Sequence, residues 1–146
     1  MSDRKVDFFI VDIFIAVDKV KRYSNKFNSG EELLYSELEW DAVIRELEII
    51  GEAVNNLLRL EFLGNEYRII VDFRNQINHG YFGINSNIVW DIVTNYITQF
   101  RNELLDIIKL EKVDLIEAIM CAKEDNKFSK KTIGFLDNLT TEINGI

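Results

Sequence analysis

No proline occurs anywhere in this chain of 146 residues, and only seven glycines do. That absence constrains the fold more than any other feature. Proline removes a backbone donor and clashes inside a helix, and glycine weakens helical order, so a chain nearly free of both can run in long helices. A β-sandwich or barrel would need turn residues at short spacing, and they are missing. The apolar residues agree: Val6, Phe9, Ile10, Ile13, Val17 and Val20 recur at steps of three and four, which gathers them on one side of a helix. With 47% apolar and 29% charged residues, the composition is that of a globular chain long enough to bury a core. The expected fold class is all-α, an antiparallel up-and-down four-helix bundle with a C-terminal helical extension.

The first helix is expected over residues 4 to about 27, with Phe8, Val11, Phe14 and Ile15 widening its apolar side so that it faces more than one neighbour. A second opens at Ser29 or Gly30, with Glu31 and Glu32 in its first turn where carboxylates suit the helix dipole. It runs to about Phe62, with a break near Leu38 to Asp41. Gly64-Asn65 is a turn, with Asn65 as N-cap of a third helix from about Glu66; this helix ends near Asn78 or His79, because Gly80 suits the position after a helix end. Tyr81 to Asn85 connects to a fourth helix over about 87 to 110, capped by Asn85 or Ser86. Two shorter helices follow, about Val113 to Glu124 and Ser129 to Ile143. The expected organisation is a bundle over residues 1–110 and a helical extension over 111–146 packed on the same domain.

Charge and cysteine usage narrow the function. A net charge of −8 argues against a broad electrostatic nucleic-acid surface, so any phosphate chemistry must use a few locally placed cations or a surface built by two chains. A basic protein partner also suits that charge. One cysteine, Cys121, and one histidine cannot by themselves build a typical zinc site, and no metal or other cofactor is expected. The lone cysteine suits a reducing, cytoplasmic setting. Asp3, Asp7 and Asp12 interrupt the apolar run near the N-terminus, which argues against a signal peptide and against a membrane span.

The chemistry concentrates in Arg74-Asn75-Gln76-Ile77-Asn78-His79-Gly80-Tyr81, which holds the single histidine between two apolar flanks. On a helix, Arg74 and Asn78 share a face, and Asn75 and His79 an adjacent one. Histidine titrates near neutrality and is the usual general acid or base, while arginine stays protonated and forks onto phosphate oxygens. That pair is a sufficient minimal set for RNA cleavage in which the substrate's own 2′-hydroxyl attacks the adjacent phosphorus. One histidine per chain suggests that two chains meet at one cleft. Upstream, Arg45, Glu48, Ile49 and Glu52 share a helix face. This is either a solvated, salt-bridged face or one from which Glu52, between the small Gly51 and Ala53, supports Arg74 or His79 as a carboxylate behind the catalytic pair.

Arg74-Asn75-x-x-x-His79-x-Tyr81 resembles the RNxxxHxY signature of HEPN domains. Leu47-Glu48-Ile49-Ile50-Gly51-Glu52-Ala53 before it and Ile88-Val89-Trp90 after it resemble the HepT-like branch of that family. The three blocks stand in the family's order, and the likeness covers roughly residues 5 to 108. The resemblance implies a bundle that forms a homodimer with its motifs facing each other. It implies the toxin of a type VII-like toxin–antitoxin pair, a metal-independent ribonuclease with Arg74 and His79 as the catalytic pair and Asn75 orienting them; Asn78, on the Arg74 face, is a further supporting residue. It further implies a minimal nucleotidyltransferase (MNT) antitoxin as partner, which silences the toxin by AMPylation of Tyr81. Two features depart from the family pattern: the proline common before the third helix is absent, and the segment after Leu110 extends past the usual core.

Two other readings stand beside this one. HEPN-like proteins of similar length also serve as non-catalytic substrate-binding subunits of nucleotidyltransferases, and the acidic charge leans that way. A helical scaffold whose motif only stabilises a dimer is the third.

Overall fold

A computed structural model of the chain describes the backbone of residues 3–78 and 85–145 and the side chains of residues 6–73 and 85–145. Among the described residues, every regular element is helical. Helix α1 spans Asp3–Ser24, α2 Gly30–Tyr35, α3 Glu37–Arg59, α4 Arg68–Asn78, α5 Ser86–Asp91, α6 Ile97–Glu111, α7 Ile116–Asp125 and α8 Lys130–Asn144. A single 3-10 turn, Asn65–Tyr67, leads into α4, and a π-helical turn, Ile92–Tyr96, joins α5 to α6 without a break.

Helix α1 is the centre of the bundle. Ile10, Ile13, Phe14 and Val20 are fully buried, as are Val11, Ala16 and Val17 within about two per cent, so this helix is covered on more than one side. It packs along α3 and also meets α6, the π turn, α7 and α8. Helix α3 in turn packs along α4, and α2 lies on α5. The alternation of these helices gives the expected antiparallel bundle, with Phe14, Ile50, Leu57, Phe100 and Leu104 at its centre. Each such side chain removed from water contributes about 1.5–3 kcal/mol before the entropy of ordering it is counted.

Several element ends differ from the sequence reading, each for a local reason. The first helix stops at Ser24, whose hydroxyl turns back to the Val20 carbonyl at 2.7 Å. The break in the second helical stretch falls at Ser36 rather than Leu38 to Asp41: Ser36 leaves helical geometry (φ −95°, ψ 84°) and donates its hydroxyl to Glu39. Asn65 is no cap for α4; it sits inside the 3-10 turn, and the Tyr67 amide bonds the Gly64 carbonyl at 3.1 Å. Helix α7 starts at Ile116, not Val113, its first amide donating to Asp114 Oδ1 at 2.9 Å. Ser29, Asn85 and Ser129 do cap their helices through side-chain oxygens.

Two helices close with a non-glycine residue in left-handed geometry. Glu61 (φ 60°) follows α3, and the amides of Phe62 and Glu61 reach back to the carbonyls of Leu57 and Leu58 at 2.9 and 3.0 Å. Lys112 (φ 54°) does the same after α6, with the Val113 amide on Ile108 O at 3.1 Å. The two C-terminal helices are fastened to the body. Leu136 and Leu139 of α8 are buried, Arg22 of α1 reaches Thr132 Oγ1 at 3.4 Å, and Lys123 of α7 pairs with Asp137 of α8. No helix among the described residues is long and apolar enough to cross a membrane.

Candidate active site

Helix α4 carries the motif at its trailing end. Arg74, Asn75 and Asn78 lie in its last five positions as helical backbone, so positions 74 and 78 stand one turn apart on the same side. His79 and Tyr81 lie outside the described residues, as do the side chains of Arg74, Asn75 and Asn78. What the structure describes is the stage on which that end of α4 is held.

One flank of α4 packs on α3. There Gly51 and Ala53 are buried while Glu52 between them is exposed, its backbone carbonyl accepting from Asn56 Nδ2 at 3.1 Å. The pairing expected of Glu52 is with side chains outside the described ones. On the neighbouring part of that face, Arg45 and Glu48 approach to 3.8 Å as a loose surface ion pair.

Among the described residues, the other flank of α4 is open. A groove of about 340 Å³ runs between it and the α5–π–α6 helix, walled by Ile69, Ile70 and Phe73 on one side and Ile88, Ile92 and Tyr96 on the other, with Leu47 and Ile50 as part of its lining. Among the described residues, two carboxylates, Asp72 and Asp91, are its only charged lining groups. Ile69 and Ile88 stand 59% and 54% exposed on facing walls of this groove. The π turn forms part of this wall; such turns are frequent at functional sites because they shift the side-chain register of a helix.

The leading end of α4 is closed by a cluster that sequence reading did not find. Tyr67 donates its hydroxyl to Glu103 Oε1 at 2.6 Å, and its ring lies 5.3 Å from that of Phe100 at 55°. Gln99 holds the second oxygen of Glu103 at 3.0 Å. Burial first, and the Glu103 hydrogen bond second, raise the Tyr67 hydroxyl well above its ordinary titration range; the same bond, with that from Gln99, holds the Glu103 carboxyl below its usual range. Burial also raises Tyr96. Residues 67 and 103 are 36 positions apart, so no local pattern could reveal them as partners. Among the described residues, no group of three or more His, Cys, Asp or Glu side chains is placed to hold a metal ion.

Comparison with known proteins bears on this arrangement. A family profile described as "Ribonuclease HepT-like" matches residues 13–107, which takes in α4, the groove and the Tyr67 cluster and stops before α7. Two proteins of Methanocaldococcus jannaschii, each named "Putative RNase", are both 34% identical to the chain. One aligns over 75% of it and 92% of its own length, the other over 71% and 97%. A protein of Caldanaerobacter subterraneus with the same kind of name is 36% identical over 49% of the chain and 66% of its own length. No solved structure matches the chain.

Proposed function

We propose that this chain, which belongs to the ribonuclease HepT-like family, is a cytoplasmic endoribonuclease toxin that cleaves RNA without a metal ion, as a homodimer. The observation that carries the reading is the sequence run from Arg74 to Tyr81, whose first five residues close α4, in a chain whose relatives are named as RNases.

In this reading the 2′-hydroxyl of the substrate attacks the adjacent phosphorus, and the bond from phosphorus to the 5′-oxygen breaks. The products are a 2′,3′-cyclic phosphate and a free 5′-hydroxyl. His79 accepts the proton of the attacking hydroxyl, and the partner's His79 gives one to the leaving oxygen. Arg74 stabilises the charge that builds on the phosphoryl oxygens, and Asn75, Asn78 and Glu52 orient the pair. The exposed Ile69 and Ile88 support the dimer, because they give the groove an apolar rim that a second copy would cover.

Regulation follows from the same site. An MNT-type nucleotidyltransferase antitoxin transfers AMP from ATP onto the Tyr81 hydroxyl, releasing pyrophosphate. The modification puts negative charge and bulk where an RNA phosphate must sit. The acidic net charge of −8 favours the alternative of a non-catalytic substrate-binding subunit for such a transferase.

Expression in a host decides between them. The ribonuclease reading expects growth arrest from the wild type alone, no arrest from Arg74→Ala or His79→Ala, and relief on co-expression of a cognate MNT-type nucleotidyltransferase with Tyr81 intact. A harmless wild type whose purified form leaves RNA whole favours the binding subunit. A Tyr81→Phe chain that still gains the mass of AMP rules Tyr81 out as acceptor.

A further inference from the structure

The groove leaves α4 with little support on one side, and this gives the Tyr67 cluster a role. Helix α4 has 11 residues, a length at which an isolated helix is marginal in water, so tertiary contacts decide where it points. Among the described residues its packing is one-sided: α3 covers one flank, and the groove occupies the space between the other flank and the π turn. At the leading end, Tyr67 spans that gap to α6. Among the described residues, the Tyr67–Glu103 bond is the one side-chain hydrogen bond between the segment 64–73 and the helix 86–111. The Tyr67 ring is 8% exposed and packs on Phe100, and Gln99 orients the acceptor carboxylate.

We infer that Tyr67 is a positioning residue: its bond to Glu103 pins the leading end of α4 to α6 and so fixes where the motif at the other end of the helix stands. Arg74 follows Tyr67 by seven positions, roughly 10 Å along the helix axis at 1.5 Å per residue. A tilt of about 10° at Tyr67 would therefore move the Arg74 backbone by about 2 Å on the same helical rise. A misplacement of about 1 Å at reacting groups can cost on the order of a hundredfold in rate. Neither Tyr67 nor Glu103 touches substrate in this account; both act through α4. The catalytic half of the inference rests on the ribonuclease reading, whereas the pinning of α4 does not.

The test pairs amide hydrogen exchange with RNA cleavage in three variants. Tyr67→Phe keeps the ring on Phe100 and removes only the hydroxyl. Glu103→Leu removes the acceptor. Glu103→Gln keeps an oxygen that can accept from Tyr67. The inference expects exchange across residues 68–78 to quicken at least tenfold in Tyr67→Phe and Glu103→Leu, with α1 and α3 unchanged and Glu103→Gln near wild type. It expects kcat on RNA to fall at least tenfold in the same two variants with KM within about twofold, and to be restored in Glu103→Gln. Unchanged exchange in Tyr67→Phe overturns the pinning. Faster exchange with unchanged kcat overturns the positioning role. If the wild type itself cleaves no RNA, the ribonuclease reading fails, and the exchange profile alone then decides whether Tyr67 pins α4.

Discussion

Arg101 and Glu142 meet in a two-pronged ion pair, with Nη2 and Nη1 of the arginine 2.7 and 3.2 Å from the two carboxylate oxygens. The pair ties α8 to α6, and the Arg101 guanidinium also lies 5.6 Å from the centre of the Phe14 ring on α1. One contact thus links the segment beyond the family match to both the central helix and the helix that walls the groove. The hydrogen bond from Arg101 holds the Glu142 carboxyl below its ordinary value of 4.5. A lowered carboxyl contributes stability that is present above pH 4.5 and is lost as pH falls through the lowered value. Glu142 is 43% exposed, so the effect is modest: Glu142→Gln is expected to cost about 0.2–1 kcal/mol at pH 7, with the difference from wild type shrinking in acid. Urea titrations at both pH values check it.

Glu46 has the opposite sign. It is buried on the stretch of α3 that packs against α1, and burial raises its carboxyl above the ordinary 4.5, with Lys19, Arg45 and Arg22 partly offsetting the effect. A raised carboxyl contributes stability that is fully present below pH 4.5 and is lost as pH rises through the raised value. Glu46→Gln is therefore expected to raise Tm at pH 7 and to melt with wild type below pH 4.5. A lower Tm at pH 7 would mean that the three cations outweigh the burial.

Gly30 lets α2 sit on α5. A Cβ at this position would run into the backbone carbonyl of Ser86 and the Cβ of Trp90. The obstacle is backbone, not a flexible side chain, so the two helices must separate. Gly30→Ala is expected to destabilise the fold by about 1–3 kcal/mol, measured by chemical denaturation, although alanine is ordinarily the better helix former.

The proposed dimer makes a prediction at the groove rim. Ile69 and Ile88 are already half in water, so Ile69→Asp and Ile88→Asp should leave the stability of a single chain within about 0.5 kcal/mol. Each should nevertheless convert a dimer to monomer in sedimentation velocity and suppress RNA cleavage with it. Dimers that persist in both variants would move the interface elsewhere.

Much of the bundle was legible because its cause is local. The stripe from Val6 to Val20 marked α1 as a helix facing several neighbours, and it is the buried centre of the fold. The helix starts at Ser29, Asn85 and Ser129 were legible because a cap needs only its own side chain and the next amides. What was not legible depends on partners far along the chain or on unusual residues in common roles. The ends of α3 and α6 use Glu61 and Lys112 where glycine would have announced the turn. The π turn at Ile92–Tyr96 leaves no mark on a pattern of three and four, and Tyr67 finds Glu103 across 36 positions. At the site, the motif from Arg74 to Tyr81 stood out because one histidine beside an arginine is chemically conspicuous. The groove did not, since a sequence pattern alone does not separate Ile69 and Ile88, which the fold leaves exposed, from core residues.

The central claim is that Arg74 and His79 cleave RNA without a metal ion. Purified wild type should be incubated with a single-stranded RNA in the presence of a chelator, and the new ends analysed. The account predicts fragments ending in 2′,3′-cyclic phosphate and 5′-hydroxyl, with the rate reduced at least a hundredfold in Arg74→Ala and in His79→Ala, as removal of a general acid–base or a charge-stabilising group requires. RNA left intact by the wild type, or cut equally well by the two variants, would contradict it.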